Sequence, residues 1–95
     1  MKTIFISLPM NGRDKKEIQE EMNNIYLDLN IPNSKYIDSV FDLWENKDPM
    51  YYLWKSIKLM SSADYVCFWK WWHLSRWCNI EYQIAKAYGK DIIFN

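Results

Sequence analysis

Along this chain, short β-rich runs alternate with stretches in which apolar residues recur every three or four positions. KTIFIS (2–7) is a β-branched and aromatic run that stops at Leu8-Pro9 and predicts a strand. PMNGRD follows with Pro9, Asn11 and Gly12, all turn formers. Ile18, Met22, Ile25 and Leu29 then recur at helical spacing, behind Asp14 as N-cap and Glu17 in the manner of a capping box. That helix is expected to end before Asn30-Ile31-Pro32. A weaker strand is expected at KYIDS (35–39), and FDLWENKDP (41–49) reads as a polar-aromatic connection.

Asp48-Pro49 predicts the start of a second helix with Pro at its first position, and Leu53, Trp54, Ile57 and Met60 form its apolar stripe. DYVCFW (64–69) is apolar nearly throughout, as in a strand covered on both faces. After KWWHLSR a third helix presents Ile80, Ile84 and Ala87 on one face, Gly89 suits its C′ position, and DIIF (91–94) is the last strand. The order βαβαβαβ argues for one α/β domain over 1–95. We expect a Rossmann or flavodoxin-like three-layer sandwich with four short parallel strands and right-handed crossovers.

Ninety-five residues lie near the low end for a self-sufficient core. The 49% hydrophobic and 25% charged content is that of an ordinary globular chain. An aromatic share of 18%, with six Trp, is the outlier: it supplies buried area, a pocket lining or a subunit interface. Zero net charge without a basic stretch argues against nucleic-acid binding through phosphate neutralisation. Cys67 and Cys78 belong to no CxxC or His/Cys cluster, so neither a disulfide framework nor a metal site is expected. No signal peptide or membrane-spanning run is seen, which points to a cytoplasmic protein without a membrane partner.

In parallel α/β sheets ligands bind outside the carboxyl ends of the strands. That end holds Ser7 with the loop to Arg13, Asp38-Ser39, Lys70–Arg76 and the start of the last helix. Lys2, Lys35, Asp64 and Asp91 fall at the opposite end and read as caps and solvated charges. SLPMNGRD is either a structural turn or an anion or ribose cradle at a helix N-terminus, with Ser7, Pro9, Met10, Gly12 and Arg13 as its candidate contacts. It is neither GxGxxG nor a Walker loop, and no cofactor is expected. Asp38 sits where such folds place a carboxylate on ribose hydroxyls; with Ser39 it can equally be a turn pair.

KWWHLSRW (70–77) sets Trp71, Trp72 and Trp77 beside Lys70, His73 and Arg76. The ring faces can stack a base, or the loop can form an oligomer interface, or both where a pocket lies between subunits. His73 is the sole histidine. A helix starting near Trp77 puts Glu81 in its first turn or just after, where the helix dipole favours the ionised form. There Glu81 is either a dipole-satisfying surface acid or a carboxylate poised to attack an anomeric carbon.

ISLPMNGR, IDS, SADYVCFW and the run from Arg76 through IEYQIAKAYGKDIIF together resemble small phage and bacterial proteins related to nucleoside 2-deoxyribosyltransferases. The resemblance spans nearly the whole chain and is most specific at R-x-C-x-x-E before the last helix. In those transferases a Glu in an E-x-x-x-A-x-x-x-G helix takes the deoxyribosyl group from one base and passes it to another. That implies Glu81 as the nucleophile, with Ala85 and Gly89 at matching places. It also implies a flavodoxin-like fold and a site completed by a neighbouring subunit, hence a homo-oligomer. The family commonly has an Asp after the third strand, where this chain reads Trp69-Lys70-Trp71-Trp72, so Lys70 or His73 would have to supply the leaving base's proton.

Three readings follow. One is an enzyme on the N-glycosidic bond of a nucleoside or nucleotide, by transfer or hydrolysis. The others are a protein that sequesters a nucleotide without turnover, and an interaction module built on the Trp loop.

Overall fold

β-branched and aromatic runs form β1 at Lys2–Ser7, β3 at Tyr65–Phe68 and β4 at Asp91–Phe94, and the short Ser34–Tyr36 forms β2, in a computed structural model that describes residues 1–10, 13–39 and 48–95. Gly12 and residues 41–47 of the polar-aromatic connection lie outside the described residues. The strands pair in parallel in the order β2-β1-β3-β4. Helices α1 (Lys15–Leu29), α2 (Pro49–Ser61) and α3 (Arg76–Ala87) alternate with them, giving the expected α/β sandwich.

Period two along the strands divides the core in two. Ile4, Ile6, Leu8 and Cys67 meet Ile18, Met22 and Ile25 of α1 on one face. On the other, Phe5, Val66 and Phe68 meet Met60, Ala63 and Ala85, so α2 and α3 share that layer. The chain leaves β1 toward β2 on one side and leaves β3 toward β4 on the other. The carboxyl ends of β1 and β3 therefore flank a topological switch point, the usual place for a ligand in an open parallel sheet.

The start of α2 and the end of α3 follow the sequence signals at Asp48 and Gly89. Asp48 Oδ1 accepts from the Met50 N–H at 2.8 Å, and Ser75 Oγ accepts from the Cys78 N–H at 3.3 Å. Gly89, at φ +70°, donates to the Lys86 carbonyl at 3.3 Å while the Lys90 N–H reaches Ala85 at 2.9 Å. Those two bonds make a Schellman ending. At α1 the capping box does not form: Asp14 makes no side-chain cap bond, and Glu17 turns instead to Arg13.

Three further expectations are corrected. β2 is shorter than 35–39, although the Ile37 N–H still donates to the Ile4 carbonyl at 2.9 Å, leaving Asp38 and Ser39 just past the strand. The buried residues of α2 are Tyr52, Ser56 and Met60, whereas Leu53 and Ile57 are only partly buried and Trp54 is exposed. Those of α3 are Cys78, Glu81 and Ala85, with Ile80 and Ile84 on the flank and Ala87 exposed. Each face lies one residue, about 100°, from the one the apolar pattern indicated. Among the described residues no helix is long and apolar enough to cross a membrane.

Candidate functional site

Ser7 is the last residue of β1. It sits in register with Phe68 of β3, and its carbonyl accepts from the Trp69 N–H at 3.0 Å, so its backbone is held at the switch point. Its side chain points to the same face as Phe5 and is buried. From that face α3 presents Glu81, and Ser7 Oγ donates to Glu81 Oε1 at 2.7 Å. With Ser75 as N-cap and Arg76 as the first helical residue, Glu81 is the sixth. It lies in the second turn, beyond the reach of the dipole effect.

Burial, not the dipole, governs this carboxyl. Glu81 is 2% exposed, and desolvation pushes its pKa up from 4.5 to about 7, against the opposing hydrogen bonding of Ser7 first, then Trp77 and Ser56. The carboxyl therefore keeps its proton well above the usual carboxylate range rather than being held ionised. The Trp77 indole and the Ser56 hydroxyl lie close enough to favour the charged form, yet Oε2 and Ser56 Oγ both remain unpartnered among the described residues. Cys78 is buried next to Ser7, and burial raises its thiol pKa, so its place near a helix start does not activate it. Burial likewise pushes Cys67 up to about 11.

The other candidates surround this pair unevenly. Arg13 donates to the Pro9 carbonyl at 3.0 Å and to Glu17 Oε1 at 3.2 Å, and it also engages Glu21, so its guanidinium is already committed to two carboxylates. Met10 packs with the α1-side core. Asp38 is exposed beyond β2, whereas Ser39 beside it is fully buried, its hydroxyl unpartnered among the described residues. Gly12 lies outside the described residues.

The Trp-rich loop divides its residues between inside and outside. Trp72 stacks on Tyr82 with ring centroids 4.5 Å apart and also lies against Phe68 and Phe94. It therefore closes the α2/α3 side of the core rather than offering an open platform. Trp69 packs on the α1 side. Trp71 stays 48% exposed, with Lys70 Nζ 5.9 Å from its ring centroid. His73 and Arg76 are exposed; the His73 carbonyl and the Ser75 carbonyl both accept from Asn79 Nδ2, tying the loop to α3.

Sequence reasoning missed Ser56. The available signal was its place midway between Tyr52 and Met60 at intervals of four, a hydroxyl inside an otherwise apolar helix face. Among the described residues no group of three His, Cys, Asp or Glu side chains is arranged to hold a metal ion. No family model, curated protein or solved structure matches this chain.

Proposed function

We propose that this protein breaks the N-glycosidic bond of a nucleoside or nucleotide, by deoxyribosyl transfer or hydrolysis, with Glu81 as nucleophile. The observation that carries the reading is a buried carboxyl outside any ion pair among the described residues, held by Ser7 Oγ at 2.7 Å beside the β1/β3 switch point. The ionised Glu81 oxygen bonds to the anomeric carbon as the carbon–nitrogen bond breaks, and the base leaves with that electron pair. An acceptor base or water then attacks the same carbon and restores the carboxylate. The departing base takes its proton from solvent or from the loop after β3, where Lys70 and His73 are the candidate donors. With Glu81 2% exposed, side chains over it have to move before the sugar reaches it. That burial favours a second reading, nucleotide binding without turnover. A homo-oligomer fits the exposed Trp71 and Leu74 of the same loop.

The test is chromatography of the protein incubated with nucleosides, nucleoside monophosphates and nicotinamide dinucleotides, with and without a free acceptor base, beside Glu81→Gln. Base release or exchange that vanishes in the variant supports the enzyme. No turnover, with thermal stabilisation by a panel member, supports the binding reading. Neither turnover nor stabilisation overturns both. Light scattering on the same sample reads the number of subunits.

A further inference from the structure

A serine in a helix commonly turns its hydroxyl back onto a carbonyl three or four residues earlier. Two serines at the end of α2 do so: Ser61 Oγ donates to the Lys58 carbonyl at 2.6 Å, and Ser62 Oγ to the Leu59 carbonyl at 2.8 Å. Ser56 does not. It is fully buried between Tyr52 and Met60, and its hydroxyl has no partner among the described residues. Alanine would fill that position without stranding a polar atom. Oε2 of Glu81, on the α3 helix that packs against α2, is likewise stranded among the described residues, and Ser56 lies near enough to that carboxyl to favour its charged form.

We propose that Ser56 is a positioning residue for Glu81: when the carboxyl ionises, the Ser56 hydroxyl donates to Oε2 as Ser7 donates to Oε1, and both oxygens are fixed. The catalytic part of this role rests on Glu81 being the nucleophile proposed above; the positioning itself does not. The groups facing the carboxyl are Ser7 from β1, Ser56 from α2, and Trp77 and Cys78 from α3. None of these carries a charge opposite to the carboxylate, and no salt bridge reaches Glu81 among the described residues. Two hydroxyls from separate elements thus take the place of a counter-ion. Each oxygen retains a further lone pair for a substrate carbon.

The experiment is a carbon-13 NMR titration of the Glu81 side-chain carboxyl in wild type, Ser56→Ala and Ser56→Thr. Loss of a hydrogen bond to a charged group is expected to raise the midpoint in Ser56→Ala by about one unit. Ser56→Thr, which keeps the hydroxyl, should stay close to wild type. An unmoved midpoint in Ser56→Ala overturns the role, whether or not the protein turns over any substrate. If Ser56→Ala does not fold, Ser56→Cys keeps the volume with a weaker donor; its midpoint should also rise, and an unmoved one again overturns the role. Where base release is observed, Ser56→Ala should lower kcat about tenfold at unchanged KM and carry the acidic limb of the kcat profile upward with the carboxyl midpoint. A role in packing alone would move neither. Absence of turnover across the panel counts against the glycosidic reading and leaves the titration result to decide the role of Ser56.

Discussion

Replacing Glu81 by Gln removes one buried titration and keeps an oxygen for Ser7, so it isolates what ionising this carboxyl costs the fold. Folding raises the pKa from its ordinary 4.5 to about 7. At about 1.4 kcal/mol per unit, that is ~3 kcal/mol. Burial is nearly complete, so solvent screening takes little from this figure. The sign follows from which state holds the proton more tightly. The folded protein keeps it to higher pH than the unfolded chain does, so stability is fully present below about pH 4.5 and is lost as pH rises through about 7.

Urea unfolding of wild type and Glu81→Gln from pH 4 to pH 8.5 measures this directly. The variant's advantage over wild type should grow by about 3 kcal/mol across that range, which is roughly 1–3 M in the unfolding midpoint. Cys67 and Cys78, both raised by burial, titrate only above this range in the folded state, and the small effect of their ionisation in the unfolded chain is common to both proteins and cancels in the comparison. Two pH–stability curves that run parallel to within about 0.5 kcal/mol would refute the reasoning. A loss of this size at neutral and alkaline pH, at a position an apolar side chain could fill, is what a carboxyl retained for chemistry is expected to cost.

Ser7→Ala strands Oε1 as well as Oε2, so the Glu81 midpoint should rise by about one unit, and urea unfolding should show a larger stability loss at pH 8.5 than at pH 5. Equal losses at both pH values would mean that Ser7 does not distinguish the ionised from the protonated carboxyl. Gly89→Ala places a Cβ at φ +70° with no atom within 4 Å, so the cost is backbone strain alone. It should amount to about 1 kcal/mol, a fall of roughly 4–8 °C in Tm by calorimetry; an unchanged Tm would argue against the left-handed ending of α3.

Periodicity made most of the fold legible. β1, β3 and β4 announce themselves by β-branched runs, and α1 by Ile18, Met22 and Ile25 at helical spacing. The cap at Asp48 and the glycine after α3 were readable because each position demands a particular chemistry, whereas the Ser75 cap was not singled out. Strand order was not readable, since the period of a strand says which face is buried and nothing about its neighbour. The placing of the tryptophans was not either. Trp69, Trp71 and Trp72 are near neighbours in sequence, yet they go to the α1-side core, the surface and the α3-side core respectively.

The two helix faces that the pattern missed have a common cause. α2 is apolar nearly all round, with Tyr52, Leu53, Trp54, Ile57, Leu59 and Met60 giving no unique stripe. On α3, Ile80 and Ile84 outweigh a face that holds a glutamate. In each helix the rule that polar residues face water displaced the stripe by one residue, because one polar residue faces inward: Ser56 on α2 and Glu81 on α3. A helix that only had to cover a sheet would gain stability from alanine at the first position and an uncharged side chain at the second. Met60 and Ala85, on the same two faces, do follow ordinary packing, so the conflict is local to one spot. Local pattern and global fold tend to disagree where function is at stake. Here both disagreements converge on the carboxyl that Ser7 already holds, which brings α2 to a site that the sequence had assigned to the carboxyl ends of β1, β2 and β3 and to α3.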